Sequence, residues 1–128
     1  MSRQRYTPRP TPDVHGQPFP TAEEAWFWAV TTHDNIQAGA RVRAGRSSLP
    51  RPCDARDVIG VVARLHRAGR LSRDHLEVLF RFGRRSSPPD PRVEEERPAE
   101  RVWLDALARL LPPLEAKGIV GRADRRWA

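Results

Sequence analysis

A chain of 128 residues with 23 basic and 16 acidic side chains, for a net charge of +7, can build one domain burying roughly two-thirds of its unfolded surface, with no room for a second large one. No apolar run approaches the ~18 residues of a membrane span, and residues 1–20 carry polar groups and prolines where a signal peptide needs an apolar stretch, which predicts a cytoplasmic protein without a membrane partner. The single cysteine, Cys53, excludes an internal disulfide and lacks the Cys/His company of a structural zinc, so it reads as a small interior residue.

Residues 1–20 hold five of the thirteen prolines and little apolar content, the composition of an extended, flexible arm, with Phe19 placed to dock at its end. Thr21-Ala22-Glu23-Glu24 then matches a capping box, and a first helix is predicted over about 22–38, stopped by Gly39. Ala22, Trp26, Val30 and His33 form its inward stripe. The run Trp26-Phe27-Trp28 spreads aromatic surface nearly all round one turn, so at least one ring must leave that stripe. Such a ring either covers the arm or a neighbouring helix, or belongs to a partner-binding patch.

Residues 40–53 read as an irregular connection. Asp54 caps a second helix predicted over about 55–68, with Asp57 near its positive end and Gly69 as its stop. Val58, Val61, Val62 and Leu65 face inward, whereas Arg56, Arg64 and Arg67 share the polar face. Only Gly69-Arg70-Leu71 precedes Ser72, the N-cap of a third helix over about 73–84, and so short a link forces the two helices into a corner or hairpin. Leu76, Val78, Leu79, Phe80 and Phe82 occupy so much of the third helix that it is predicted to be the most buried one. Arg81, Arg84 and Arg85 fall at its C-terminal end, where the dipole favours cations.

Ser86 to Pro91 contains three prolines and makes a loop. Glu94, Glu95, Glu96 and Glu100 gather where a fourth helix, predicted over about 95–111, begins, with Pro98 suited to its first turn. Val102, Trp103, Ala106, Leu107, Leu110 and Leu111 repeat at helical spacing. Pro112-Pro113 should kink or end this helix, leaving a further turn over 113–117 closed by Gly118, after which Ile119 and Val120 return to the core. The tail 121–128 is basic and should fray. The expected fold is therefore all-α: a small bundle of about four main helices over 21–120 with a helix-turn-helix-like corner and flexible ends.

The chemistry-bearing motifs are absent. His15, His33, His66 and His75 match no zinc spacing, and there is no Gly-rich phosphate loop, Gly-x-Ser-x-Gly elbow or His-Glu-x-x-His helix. Asp54, Asp57 and Asp74 are explained as caps. No metal, cofactor or catalytic residue is expected, and the protein reads as a non-enzyme.

The cations carry the remaining signal. All but Lys117 are arginine, for which a GC-rich genome is an alternative explanation, although base composition does not explain where the charges sit. Formal charge is −1 over residues 1–38, +4 over 39–53, +4 over 54–85, −2 over 86–120 and +2 over 121–128. A cationic middle attracts polyanions or acidic protein surfaces, and guanidinium forks match phosphate oxygens.

The segment Val58 to Phe82, with its Ala-Arg-Leu-His-Arg-Ala-Gly-Arg-Leu-Ser turn, together with the Trp103–Leu111 helix, resembles the helical DNA-binding regions of sigma-factor-type and phage antitermination regulators. That resemblance implies a non-catalytic, DNA-associated regulatory role. It carries no recognition residue onto the fourth helix, whose acidic start would repel phosphate. The strings Ala22 to Trp28, Arg51 to Asp57 and Lys117 to Val120 also resemble those of small uncharacterised proteobacterial proteins, a resemblance that implies no activity. The predicted phosphate contacts are Arg41, Arg43, Arg46, Arg64, Arg67, Arg70 and Arg73. The alternative is a protein-interaction adaptor in which Trp26, Phe27, Trp28 and Trp103 dock a partner or a second copy of the chain.

Overall fold

The computed structural model describes residues 16–39 and 51–122. Among these residues lie four α-helices, α1 (Ala22–Gln37), α2 (Ala55–Arg67), α3 (Arg73–Arg85) and α4 (Arg97–Ala116), with a 3-10 turn over Glu94–Glu96 ahead of α4. The fold is the expected all-α bundle. Most of the proline-rich arm over 1–20 and most of the basic tail over 121–128 lie outside the described residues, as does the connection over 40–50.

Local chemistry sets the helix starts. The Thr21 hydroxyl accepts the Glu24 amide at 3.1 Å, and the Asp57 carboxylate accepts the Asp54 amide at 2.9 Å, each satisfying a donor that the first helical turn leaves free. At α3 the Ser72 hydroxyl accepts the His75 amide at 3.2 Å while His75 Nδ1 accepts the Ser72 amide at 2.9 Å. His75 thus fills the position usually given to Glu or Gln in a capping box.

The core is organised around α1, which packs against each of the other three helices. Trp26 is fully buried; its indole Nε1 donates to the Leu79 carbonyl at 2.7 Å, and its ring meets Phe80 edge-on at 5.0 Å. Trp103 of α4 is equally buried, stacks on Phe27 at 5.5 Å and donates to Glu23 Oε1 at 3.2 Å. Phe19 lies 5.2 Å from Trp28. The Phe19 amide donates to the Ile119 carbonyl, and the Gly121 amide to the Phe19 carbonyl, both at 2.9 Å. This parallel bridge pins the chain ahead of α1 to the chain after α4.

Two expectations fail. The helix predicted to be most buried, α3, buries only Leu79, Phe82 and Gly83, whereas α1 buries Ala22, Ala25, Trp26, Ala29 and Val30. The apolar surplus of α3, Leu76 and Phe80, is only partly buried on its outer side. Pro112-Pro113 does not end the fourth helix, which continues to Ala116 and absorbs the separate turn predicted over 113–117. The carbonyls that lose their donors to the two prolines belong to Ala108 and Arg109, both exposed residues, so the loss falls at the solvent side of the helix and not in the core. Leu114, Ile119 and Val120 are buried and hold the following turn in place.

Candidate nucleic-acid interface

The corner between α2 and α3 is tied shut. After Gly69, in the left-handed region at φ 79°, the amides of Arg70 and Leu71 both donate to the Leu65 carbonyl, at 2.8 and 3.3 Å. His66 Nδ1 lies 2.8 Å from the Leu71 carbonyl, which can only accept, so Nδ1 carries the proton. Leu71 plugs the interior, and Arg109 of α4 donates to the Arg70 carbonyl at 3.1 Å. The direction in which α3 leaves the corner is therefore set by bonds to α2 and α4 and by a buried side chain.

On the outer side of α3, Arg73, Leu76, Glu77, Phe80, Arg81 and Arg84 line an open trough of about 610 Å³. At 100° per residue the four charged positions fall within a sector of about 80°, and Arg73 and Arg84 are about 16 Å apart along the axis. Arg84 lies 5.4 Å from the Phe80 ring and 3.6 Å from Asp34, a loose pair with both side chains well exposed. Arg81 lies 4.9 Å from the Phe82 ring. Arg73 makes no ion pair with a described carboxylate. This face offers three guanidinium groups and two partly buried apolar side chains, with Glu77 among them and Asp34 beside Arg84 as carboxylates.

A second cationic concavity is lined by different elements. Arg56 and Arg64 of α2, Asp57, and Lys117 at the end of α4 line a groove of about 350 Å³ together with Pro52, Cys53 and Ile119. The Cys53 thiol is pushed up to about 11 by burial and by the charges of Asp57 and Asp54. A thiol so raised carries little thiolate near neutral pH. Among the described residues no group of three or more His, Cys, Asp or Glu side chains could hold a metal ion.

Of the seven arginines predicted to contact phosphate, Arg41, Arg43 and Arg46 lie outside the described residues. Arg67 and Arg70 are exposed at the corner and Arg73 continues the cationic surface onto α3, but Arg64 lines the second groove with Arg56 and Lys117. The predicted set is thus not a single stripe. Arg81 and Arg84 belong to the α3 face although their positions at the helix end had explained them by the dipole; their spacing of eight and eleven residues from Arg73 is the signal that places them there. Lys117 had no such signal, because the fold brings it to α2 from a distant helix.

Other cations are engaged internally. Arg85 donates to both oxygens of Glu96, at 2.7 and 3.1 Å, and to the Pro88 carbonyl at 2.7 Å. Glu96 also accepts the Asp90 amide at 2.7 Å, and hydrogen bonds from Arg85 above all hold its carboxyl at about 2. Arg109 and His75 both bond Asp105 Oδ2, at 3.0 and 2.7 Å, holding that carboxyl below the usual range.

The aromatic residues assigned to a partner are used inside the molecule. Trp26 and Trp103 are fully buried, Phe27 is stacked on Trp103, and Trp28 is half-buried beside Phe19. Four rings on one amphipathic turn and its neighbour are needed because three separate elements, α3, α4 and the chain at Phe19, pack around α1. Of the patch predicted from Trp26-Phe27-Trp28 and Trp103, Trp26 and Trp103 are thus buried in the core, while Phe27 and Trp28 pack against it and stay partly exposed.

No protein-family model matches the chain, nor does any curated protein or solved structure. Among the described residues no helix is long and apolar enough to cross a membrane.

Proposed function

We propose that the protein is a non-catalytic DNA-binding regulator that holds the phosphate backbone through the outer face of α3 and the corner preceding it, with Arg67, Arg70, Arg73, Arg81 and Arg84 as contacts. The observation carrying this reading is the alignment of Arg73, Arg81 and Arg84 on one exposed helix face beside partly buried Leu76 and Phe80. A guanidinium donates two parallel hydrogen bonds to phosphate oxygens, and every phosphate neutralised releases condensed counterions. The closed corner spares the backbone of this face an ordering cost on binding, leaving only that of the arginine side chains.

The test is duplex DNA binding followed by fluorescence anisotropy across a salt series. Affinity should fall steeply with salt, and Arg73→Ala/Arg81→Ala should flatten the dependence of log K on log salt by about two, at roughly 0.9 per lost contact. Undetectable binding, salt-independent binding or an unchanged slope in the variant overturns the reading.

A further inference from the structure

We propose that the groove between α2 and the end of α4 is a binding site for a small hydroxyl-bearing organic phosphate, of sugar-phosphate size, held by Arg56, Arg64 and Lys117. This inference does not rest on DNA binding by α3, since the two concavities share no lining residue.

Three cations from two separate elements line one concavity of about 350 Å³, and none of them makes an ion pair with a described carboxylate. Elsewhere the fold neutralises cations: Arg85 by Glu96 ahead of α4, and Arg109 by Asp105 one turn away within α4. Gathering like charges in a concavity raises the local potential and concentrates anions there. Two guanidinium forks and an ammonium, which acts as a compact point charge, together match the oxygens of a phosphate dianion.

The remaining lining restricts the ligand further. Pro52, Ile119 and the Cys53 thiol supply the smaller, apolar part of the lining, and the volume lies at the small end of the range for organic ligands and exceeds what a bare phosphate fills. Asp57 lines the same groove and accepts the Asp54 amide, which leaves its carboxylate further acceptor capacity. A carboxylate beside three cations accepts a hydroxyl from a ligand whose phosphate the cations bind, whereas it repels a second phosphate. That combination selects a monophosphate carrying hydroxyl groups over an extended polyphosphate backbone.

The experiment is a titration of the full chain with ribose 5-phosphate, read by amide chemical shifts in two-dimensional NMR, with inorganic phosphate and chloride at matched ionic strength as comparisons. Saturable shifts at Arg56, Arg64, Lys117 and Ile119 are expected below about 10 mM, with ribose 5-phosphate binding more tightly than inorganic phosphate. Arg56→Ala/Arg64→Ala should weaken binding at least about tenfold while its spectrum remains that of a folded chain. Arg73→Ala/Arg81→Ala should leave the shifts in place while reducing the salt dependence of DNA binding, so the two sites fail or stand separately. The proposal is overturned if shifts do not saturate, if chloride reproduces them, if the Arg56/Arg64 variant retains them, or if duplex DNA competes for the same residues.

Discussion

At the scale of single residues, two helical glycines predict opposite outcomes. Gly83 faces α1, and a Cβ there would lie 2.8 Å from Trp26 Nε1 and 3.0 Å from Val30 Cγ2. The Trp26 indole is bonded to the Leu79 carbonyl at 2.7 Å, so it cannot retreat without breaking a buried hydrogen bond. Gly83→Ala should therefore destabilise the protein by about 1–3 kcal/mol despite the better helix propensity of alanine. Gly60 has only the flexible end of Arg64, 3.6 Å away. Gly60→Ala should stabilise by about 0.5–1 kcal/mol. Urea midpoints of the two variants against the parent check both signs. His75 shows the same dependence on neighbours: since Nδ1 accepts the Ser72 amide, the proton resides on Nε2 and is donated to Asp105. The spacing of His75 in the sequence excluded zinc, but its role in linking the α3 cap to α4 depends on Asp105, thirty residues away.

At the scale of elements, the helix ends follow local rules with one exception. Past α1, α2 and α4 the chain turns through Gly39, Gly69 and Gly118, all at positive φ. Past α3 the residue in that conformation is Ser86, at φ 61°, where a Cβ costs energy that glycine avoids. Its hydroxyl is exposed and makes only a long contact, 3.4 Å, with Thr31. Ser86→Gly is thus expected to raise the thermal midpoint, by the equivalent of roughly 0.5–1 kcal/mol, without altering the helical circular dichroism. The prolines of α4 show the limit of local rules. Pro112-Pro113 reads as a break because propensity alone counts lost donors, while the buried Leu114 beyond them keeps the helix going.

At the scale of the whole molecule, the junction of α3 with α4 depends on the Arg85–Glu96 pair. The Glu96 carboxyl titrates at about 2 rather than its ordinary 4.5. A depressed carboxylate contributes stability that is complete above the ordinary value and is lost as pH falls through the folded value. Denaturation midpoints should accordingly drop between pH ~4.5 and ~2, and Glu96→Gln should flatten that drop while lowering stability at neutral pH. A midpoint profile in this window that is the same for both proteins would show that the pair does not link the helices. The acidic start of the fourth helix, a simple charge run in the sequence, is in part the counter-charge for the end of α3.

The order of the four main helices and the approximate bounds of the first three were determined by sequence alone, because caps such as Thr21, Asp54 and Ser72 and stops such as Gly39 and Gly69 act within a turn or two of the chain. Tertiary structure decided which side chains remained free to act. Periodicity places Trp26, Phe27 and Trp28 around one turn of α1, but only the positions of α3, α4 and Phe19 turn all three into packing groups. Likewise, a count of arginines cannot tell Arg85, neutralised by Glu96, from Arg73, open to solvent, nor bring Lys117 beside Arg56 and Arg64. The reason is physical: a cap bond spans a few residues of one chain segment, whereas burial and charge pairing depend on distances between segments that exist only once the helices have packed.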